Sequence, residues 1–264
     1  MTNEKWKMEN KPGFWTDKTV MITGASSGIG KGLALEIASR GGRLGLVARR
    51  QNLLDELVNA VKGRALAVPA DVRDADAMKD AAKLVRAELG PIDILIANAG
   101  IGTSSHISQL DPNHVANVIG INVLGSANSV AAVVPQMVER GHGHLVAISS
   151  LAAYRGLAKS AAYCASKAAM SSYFESVRID LRGTGVDVTI IHPGFIKTPL
   201  TAGREAHMPY LMELDDAIPK IVSAIEKKKK SVAFPWQLAT VVRAGMLMPT
   251  FMYDWIAARN SFRE

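Results

Sequence analysis

Apolar, β-rich runs recur along the chain with helical patterns between them. Runs at 19–23, 44–48, 65–68, 92–97, 144–149, 186–192 and 231–234 predict strands. Several are continuous rather than alternating, as in Ile94-Leu95-Ile96 and Val188-Thr189-Ile190-Ile191. Continuous apolar runs belong to strands covered on both faces, as in a parallel sheet held between two helical layers. The intervening segments predict helices over 29–39, 52–61, 74–88, 112–140, 160–182 and 215–227. This alternation argues for one α/β domain, a single doubly wound parallel sheet with helices on both faces. Right-handed crossovers then place a ligand at the carboxyl ends of the strands, where the winding reverses. No repeat, linker or compositional break divides the chain.

Composition narrows the class without changing that picture. The 264 residues are 48% hydrophobic and 21% charged, proportions of an ordinary folded domain. Disordered, collagen-like and disulfide-stapled classes are excluded. A lone cysteine, Cys164, allows no internal disulfide, so a reducing compartment and a cytoplasmic location are expected. Residues 1–18 are polar with both signs of charge, and no secretory signal is read there. The longest apolar stretches are broken by charge or proline before about 18 residues, short of a membrane-spanning helix. The net charge of +7 suits nucleic acid, an anionic membrane surface or an anionic ligand. Its one dense basic run, Lys227 to Lys230, lacks an aromatic platform and reads as a solvated turn, so no nucleic-acid partner is expected.

The first strand leads into Thr23-Gly24-Ala25-Ser26-Ser27-Gly28-Ile29-Gly30 and then a helix. Glycines at this spacing allow a tight turn, close approach of backbone to a pyrophosphate, and close helix–strand packing. The helix N-terminus adds unpaired N–H groups and the positive end of its dipole. The spacing is G-x-x-x-G-x-G, not the commoner G-x-G-x-x-G. Farther along come Asn98-Ala99-Gly100 after the fourth strand, Tyr163-Cys164-Ala165-Ser166-Lys167 in a helical segment, and Pro193-Gly194 after the sixth strand.

In this order, across residues 19 to about 235, these segments resemble the short-chain dehydrogenase/reductase family: its T-G-x-x-x-G-x-G turn, N-A-G motif, Y-x-x-x-K pair and P-G step. The resemblance implies a Rossmann-like dinucleotide-binding catalytic domain over 18–235, an N-terminal extension over 1–17, and an apolar segment over 236–264 packing on the same domain or on a partner subunit. It also implies a homodimer or homotetramer joined through helices 112–140 and 160–182. The implied cofactor contacts are Gly24, Ser26, Ser27, Gly28, Ile29, Gly30, Asp71, Val72, Asn98, Ala99, Gly100, Tyr163, Lys167, Pro193, Gly194, Ile196 and Thr198. Asp71 reads alternatively as a helix cap, and Asn98 as a tie between adjacent strands.

The second strand bears on the choice of cofactor. A carboxylate there would accept hydrogen bonds from the ribose 2′-hydroxyl of NAD and repel a 2′-phosphate. The strand instead ends Val47-Ala48-Arg49-Arg50-Gln51. Such an arginine pair is commonly a solvated strand exit. After the glycine turn the phosphate reading is favoured, because guanidinium groups bind phosphate through charge-assisted, bidentate hydrogen bonds. The expected cofactor is therefore NADP(H).

Tyr163 and Lys167 are four apart, so a helix puts both on one face. A phenol ordinarily holds its proton to about pH 10. A neighbouring ammonium and the positive ring of an oxidised nicotinamide favour the phenolate, making the group a usable acid and base. By the resemblance, Ser150 holds the substrate oxygen, with Ser149 as competitor. Asn122 orders a water joined to Lys167, and Thr198 holds the nicotinamide carboxamide. The expected reaction interconverts a carbonyl and an alcohol. A catalytically silent dinucleotide sensor is the alternative, although it would tolerate loss of Ser150, Tyr163 or Lys167.

His142 and His144 lack further ligands at metal spacing, and no metal is expected. His192 and Cys164 read as packed residues. The expected substrate pocket, over 151–157, 195–214 and 246–253, is mostly apolar, which suggests a lipophilic carbonyl or alcohol. Arg204 and Lys197 are the candidates there to meet an acidic group. The Met- and Trp-rich segment after Phe234 reads as a subunit interface or a lid, with membrane-surface contact the lesser option.

Overall fold

The computed structural model describes residues 13–61, 63–102, 107–203 and 208–259. Seven strands form one parallel sheet: β1 Thr19–Thr23, β2 Arg43–Ala48, β3 Ala65–Pro69, β4 Ile92–Ala97, β5 Gly143–Ile148, β6 Val186–Pro193 and β7 Ser231–Phe234, in the order β3-β2-β1-β4-β5-β6-β7. The order reverses between β1 and β4, which is where a cleft opens above the carboxyl ends.

The continuous apolar runs are explained by burial on both faces. All five residues of β1 and all six of β5 are buried. Successive side chains alternate between two cores. Val20, Ile22, Leu44, Leu46, Ile94 and Ile96 enter one core, together with Ile218, Ile221 and Ile225. Met21, Val47, Leu95, Leu145 and Ala147 enter the other, against Val85, Met137 and Phe174. The registers Val20↔Leu44 and Val20↔Ile94 carry this alternation across the central strands.

Helices α1 Gly28–Ser39 and α2 Gln51–Ala60 follow β1 and β2, and α3 Ala75–Leu89 follows β3. Asp74 caps α3, its carboxylate accepting from the N–H groups of Asp76 and Ala77. Asp71 is therefore not the cap. The expected helix over 112–140 is divided into α4 Pro112–Ile119, a π-helical turn Gly120–Leu124, and α5 Gly125–Glu139. As one run, Pro112–Glu139 is long and apolar enough by length and composition to cross a membrane, unlike the sequence expectation, yet α5 packs Val130, Val133 and Met137 into the second core. Then come α6 Ala161–Asp180, α7 Leu214–Glu226, α8 Trp236–Leu247 and α9 Thr250–Arg259.

Trp15, within the expected N-terminal extension, is only 1% exposed and belongs to the first core. Its indole N–H donates to the Glu226 carboxylate at 2.6 Å, and Arg40 binds the same carboxylate at 2.8 Å. The apolar segment after β7 forms α8 and α9. Leu238 and Ala239 of α8 are buried in a small cluster with Leu151, against which Tyr154 and Phe195 pack.

Candidate active site

A cavity of about 430 Å³ runs above the carboxyl ends of the central strands. Gly24, Ser26, Ser27, Gly28 and Ile29 border it from the turn after β1, and Arg49 and Arg50 from the end of β2. Asp71 and Val72 follow β3, and Asn98, Ala99 and Gly100 follow β4; Tyr163, Lys167 and Thr198 complete the expected set. A second cavity of about 510 Å³ is bordered by Ser150, Pro193, Gly194 and Ile196. Tyr163, Ser149, Ile29, Thr198 and Leu200 border both. Gly30 and Asn122 border neither and act from behind the walls.

The turn is shaped to admit a diphosphate. Gly24 adopts φ +66°, and a Cβ there would fall 2.7 Å from Ala99 Cα. A Cβ at Gly30 would fall 2.4 Å from the Gly24 carbonyl oxygen, so only glycine lets α1 start this close to the turn. No side chain caps α1, which leaves its first N–H groups for an anion. Asn98 ties β4 to β1, donating to the carbonyls of Thr23 at 2.9 Å and Gly24 at 3.2 Å. The residues present thus fit a dinucleotide.

At the outer end, the Arg50 guanidinium donates to Ser26 Oγ at 2.8 Å and Ser27 Oγ at 3.1 Å. Its charge is thereby held over the phosphate turn. Arg49 is looser, 4.0 Å from the Asp71 carboxylate with its side chain 60% exposed. Asp71 is bound by Arg73 at 2.6 Å, and hydrogen bonding to that guanidinium holds it below the usual carboxylate range. Sequence reasoning misses Arg73 as part of the site; the only signal is a cation two residues beyond Asp71.

Along α6, Tyr163 and Lys167 lie on one face as their spacing requires, 8% and 5% exposed. Lys167 Nζ donates to the Ile148 carbonyl at 2.8 Å and lies 5.9 Å from the Tyr163 ring centroid. Burial lowers its pKa from 10.5 to about 8. Among the described residues no carboxylate is paired with this ammonium.

This shift carries a stability consequence. Between about pH 8 and 10.5 the unfolded chain holds a proton on Lys167 that the folded chain has released. Stability therefore rises with pH in that window and is lost as pH falls through about 8. Melting temperatures of the nucleotide-free protein should climb more steeply from pH 8 to 9.5 than those of Lys167→Met. Parallel profiles for the two proteins would contradict the shift.

Protein groups engage the Asn122 side chain. Its Oδ1 accepts from Ile101 N–H at 2.8 Å, and its Nδ2 donates to Ile101 C=O and Ser166 Oγ, both at 2.9 Å. It lies in the π-helical turn, a local widening often found at functional sites. Ser166 is a further residue that sequence reasoning misses, although it lies inside the Tyr163–Lys167 motif.

Of the two candidate serines, Ser149 is turned inward, bonded to Ser171 Oγ at 2.7 Å and the Lys167 carbonyl at 3.2 Å. Ser150 caps the short turn Leu151–Ala153 through the Ala152 N–H at 3.1 Å and borders the second cavity. Gly102, also missed, lies against the tyrosine ring: a Cβ there would fall 2.9 Å from Tyr163 Cδ2. Thr198 Oγ1 donates to the Ile196 carbonyl at 3.3 Å.

The second cavity is walled mainly by apolar side chains, Leu151, Phe195 and Met208 beside Val241, Met248 and Ile256 of the C-terminal segment. Lys197 is paired with Glu213 at 3.1 Å, and Arg204 lies outside the described residues. His192 packs beside Tyr154, and burial lowers its pKa. His144 Nε2 lies 2.8 Å from Thr189 Oγ1, and burial lowers its pKa to about 4. No group of metal-ligating side chains occurs among the described residues.

A doubly wound parallel sheet with a glycine turn, a dinucleotide-shaped cleft and a Tyr–Lys pair at its inner end defines an oxidoreductase scaffold. The short chain dehydrogenase profile matches residues 18–209, and the chain belongs to the short-chain dehydrogenase/reductase family. It is 45% identical over 245 residues to an uncharacterized oxidoreductase of Myxococcus xanthus, covering 92% of this chain and 97% of that one. It is 34% identical to the ketoacyl reductase HetN of Nostoc, covering 82% and 78% of the two chains. Among solved structures, the 3-ketoacyl-(acyl-carrier-protein) reductase of Brucella melitensis, complexed with NADH, superposes with a TM-score of 0.77 at 25% identity, covering 83% of this chain and 98% of that one. A short-chain dehydrogenase of Streptomyces avermitilis superposes equally well, TM-score 0.77 at 28% identity, covering 87% and 93%.

Proposed function

We propose that this oxidoreductase is NADP(H)-dependent and interconverts a lipophilic ketone or aldehyde with the corresponding alcohol. One observation carries the reading: Tyr163, with the buried Lys167 one turn along, borders both the nucleotide-shaped cleft and the apolar cavity. When bound, the dinucleotide supplies or accepts the hydride. The chain's residues do the rest. Ser150 Oγ donates to the substrate oxygen and holds it beside the phenol. Tyr163 Oη gives that oxygen its proton in reduction and takes it back in oxidation. The Lys167 ammonium stabilises the phenolate left behind, and the apolar walls exclude water. That proton is replenished from solvent through a water that Asn122 orders and joins to Lys167.

Preference for the phosphorylated cofactor rests on this chain's own residues, since the Brucella reductase is a complex with NADH. Arg50 anchored on Ser26 and Ser27 supports it, and so does the lack of an acidic residue from the end of β2 to Asp55. Two ketoacyl reductases among the relatives agree with a carbonyl on an apolar chain. Exposed Leu124, in the π-helical turn, and exposed Ile179, in α6, support a homo-oligomer.

The test is a carbonyl panel graded in size, followed at the NADPH absorbance band and run in parallel with NADH. Turnover with NADPH, rising with the apolar size of the carbonyl, is expected. Preference for NADH would overturn the role of Arg50, and no turnover with either cofactor would overturn the reading altogether.

A further inference from the structure

The turn that begins at Ser150 also holds the C-terminal helices. Arg155, five residues on, reaches the junction of α8 and α9. Its Nη1 donates to the Gly245 carbonyl and, at 3.0 Å, to the Met248 carbonyl. Gly245 lies in the last turn of α8, where its carbonyl also accepts from the Met248 N–H at 3.3 Å, and Met248 is the residue beyond it. The guanidinium carbon lies 3.8 Å from the centroid of the Tyr253 ring in α9. Tyr253 returns the contact, its hydroxyl donating to the Gly156 carbonyl at 2.5 Å. One cation thus joins three elements: the serine turn, the end of α8 and the first turns of α9.

The helices so held build one wall of the apolar cavity, through Val241, Val242, Met248, Tyr253 and Ile256. Other contacts to the same turn are the Leu238–Leu151 cluster and the Arg243 guanidinium, 6.0 Å from the Tyr154 ring centroid. Only Leu238, Ala239 and Gly245 are buried in α8, while Leu247 is 89% and Phe251 75% exposed. Core burial of α8 is therefore small, and directional contacts add to it in fixing this wall. A planar guanidinium suits the task, bonding two carbonyls in its plane while its face covers an aromatic ring. A lysine offers a point charge without that plane.

We propose that Arg155 is a specificity-determining positioning residue, latching the α8–α9 wall to the Ser150 turn so that the cavity grips bulky apolar carbonyl substrates. A small carbonyl is held by Ser150 and Tyr163 alone, whereas a bulky one needs the wall. The inference rests on the carbonyl-reducing function proposed above.

The experiment compares the parent with Arg155→Met, Tyr253→Leu and the double variant. The first readout is the ratio of kcat/KM for a multi-ring ketone to that for an acetone-sized ketone, and the second is hydrogen exchange of residues 236–259 with NADPH present. Loss of charge-assisted bonds should lower the ratio at least about tenfold in Arg155→Met, through KM for the multi-ring ketone. Because the two residues act as a unit, the double variant should be no worse than the worse single one. Exchange over 236–259 should quicken in Arg155→Met while the central strands stay protected. An unchanged ratio, or exchange at the parental rate, overturns the latch. So does a rise in KM confined to carboxylate-bearing carbonyls, which would make Arg155 a substrate ligand. If the parent reduces no carbonyl, the functional reading falls, and the exchange measurement alone still decides the latch. Tyr253→Leu keeps the test open should Arg155→Met fail to fold.

Discussion

Replacing Tyr163 with Phe is expected to lower turnover by about 10²–10⁴-fold, the usual contribution of a positioned general acid or base. That range corresponds to roughly 3–5 kcal/mol of barrier. The substitution removes one oxygen and leaves the ring. The ring stays packed beside Gly102, where a Cβ would fall 2.9 Å from Tyr163 Cδ2. The Lys167 ammonium also remains anchored on the Ile148 carbonyl. Fold and dinucleotide affinity should therefore persist, and NADPH titration by fluorescence should match the parent. What is lost is the phenolic proton at a position bordering both cavities. Turnover within threefold of the parent would show that another group supplies it. Ser150→Ala should be less severe, because it removes an orienting bond and leaves the acid in place.

Replacing Arg50 with Gln is expected to reduce kcat/KM for NADPH by about 10–100-fold while that for NADH changes little. A hydrogen bond to a charged group contributes about 1.5–3 kcal/mol, and a 2′-phosphate draws on both charge and geometry. Ser26 and Ser27 hold the guanidinium in advance, so less of its freedom is lost on binding. Arg49 should matter less, being mostly exposed and already 4.0 Å from the Asp71 carboxylate. Since the site faces solvent, NADPH preference should weaken with added salt in the parent, and this salt dependence should flatten in Arg50→Gln. A preference unmoved by Arg50→Gln at low salt would remove the arginine from cofactor choice.

Most of the sheet is legible in the chain's hydrophobic pattern, because strands buried on both faces must be apolar throughout, and β1 and β5 are. The ends of the elements are less legible. The long helix over 112–140 keeps its pattern through the π-helical turn, since one extra residue in the hydrogen-bond ladder leaves the apolar spacing almost unchanged. Asp71 and Asp74 compete as caps on residue type alone, and only backbone geometry gives the cap to Asp74. Trp15 lies in a polar stretch whose composition hides one large buried side chain.

The sites divide along the same line. By itself the sequence determined the local chemistry: a glycine turn where a Cβ cannot fit, a phenol and an amine four residues apart, two arginines at a strand end. These are properties of spacing and residue type, and any fold that keeps the elements keeps them. Only the tertiary structure decided what depends on distant segments meeting. It turned Ser149 inward and Ser150 outward, and engaged the Asn122 amide with Ile101 and Ser166. It also brought Arg155 against Tyr253, ninety-eight residues apart in the chain, to close the cavity. Hydrophobic periodicity records that a side chain is covered, but not by which part of the chain, because burial is non-directional and the partner is chosen by the packing of the whole.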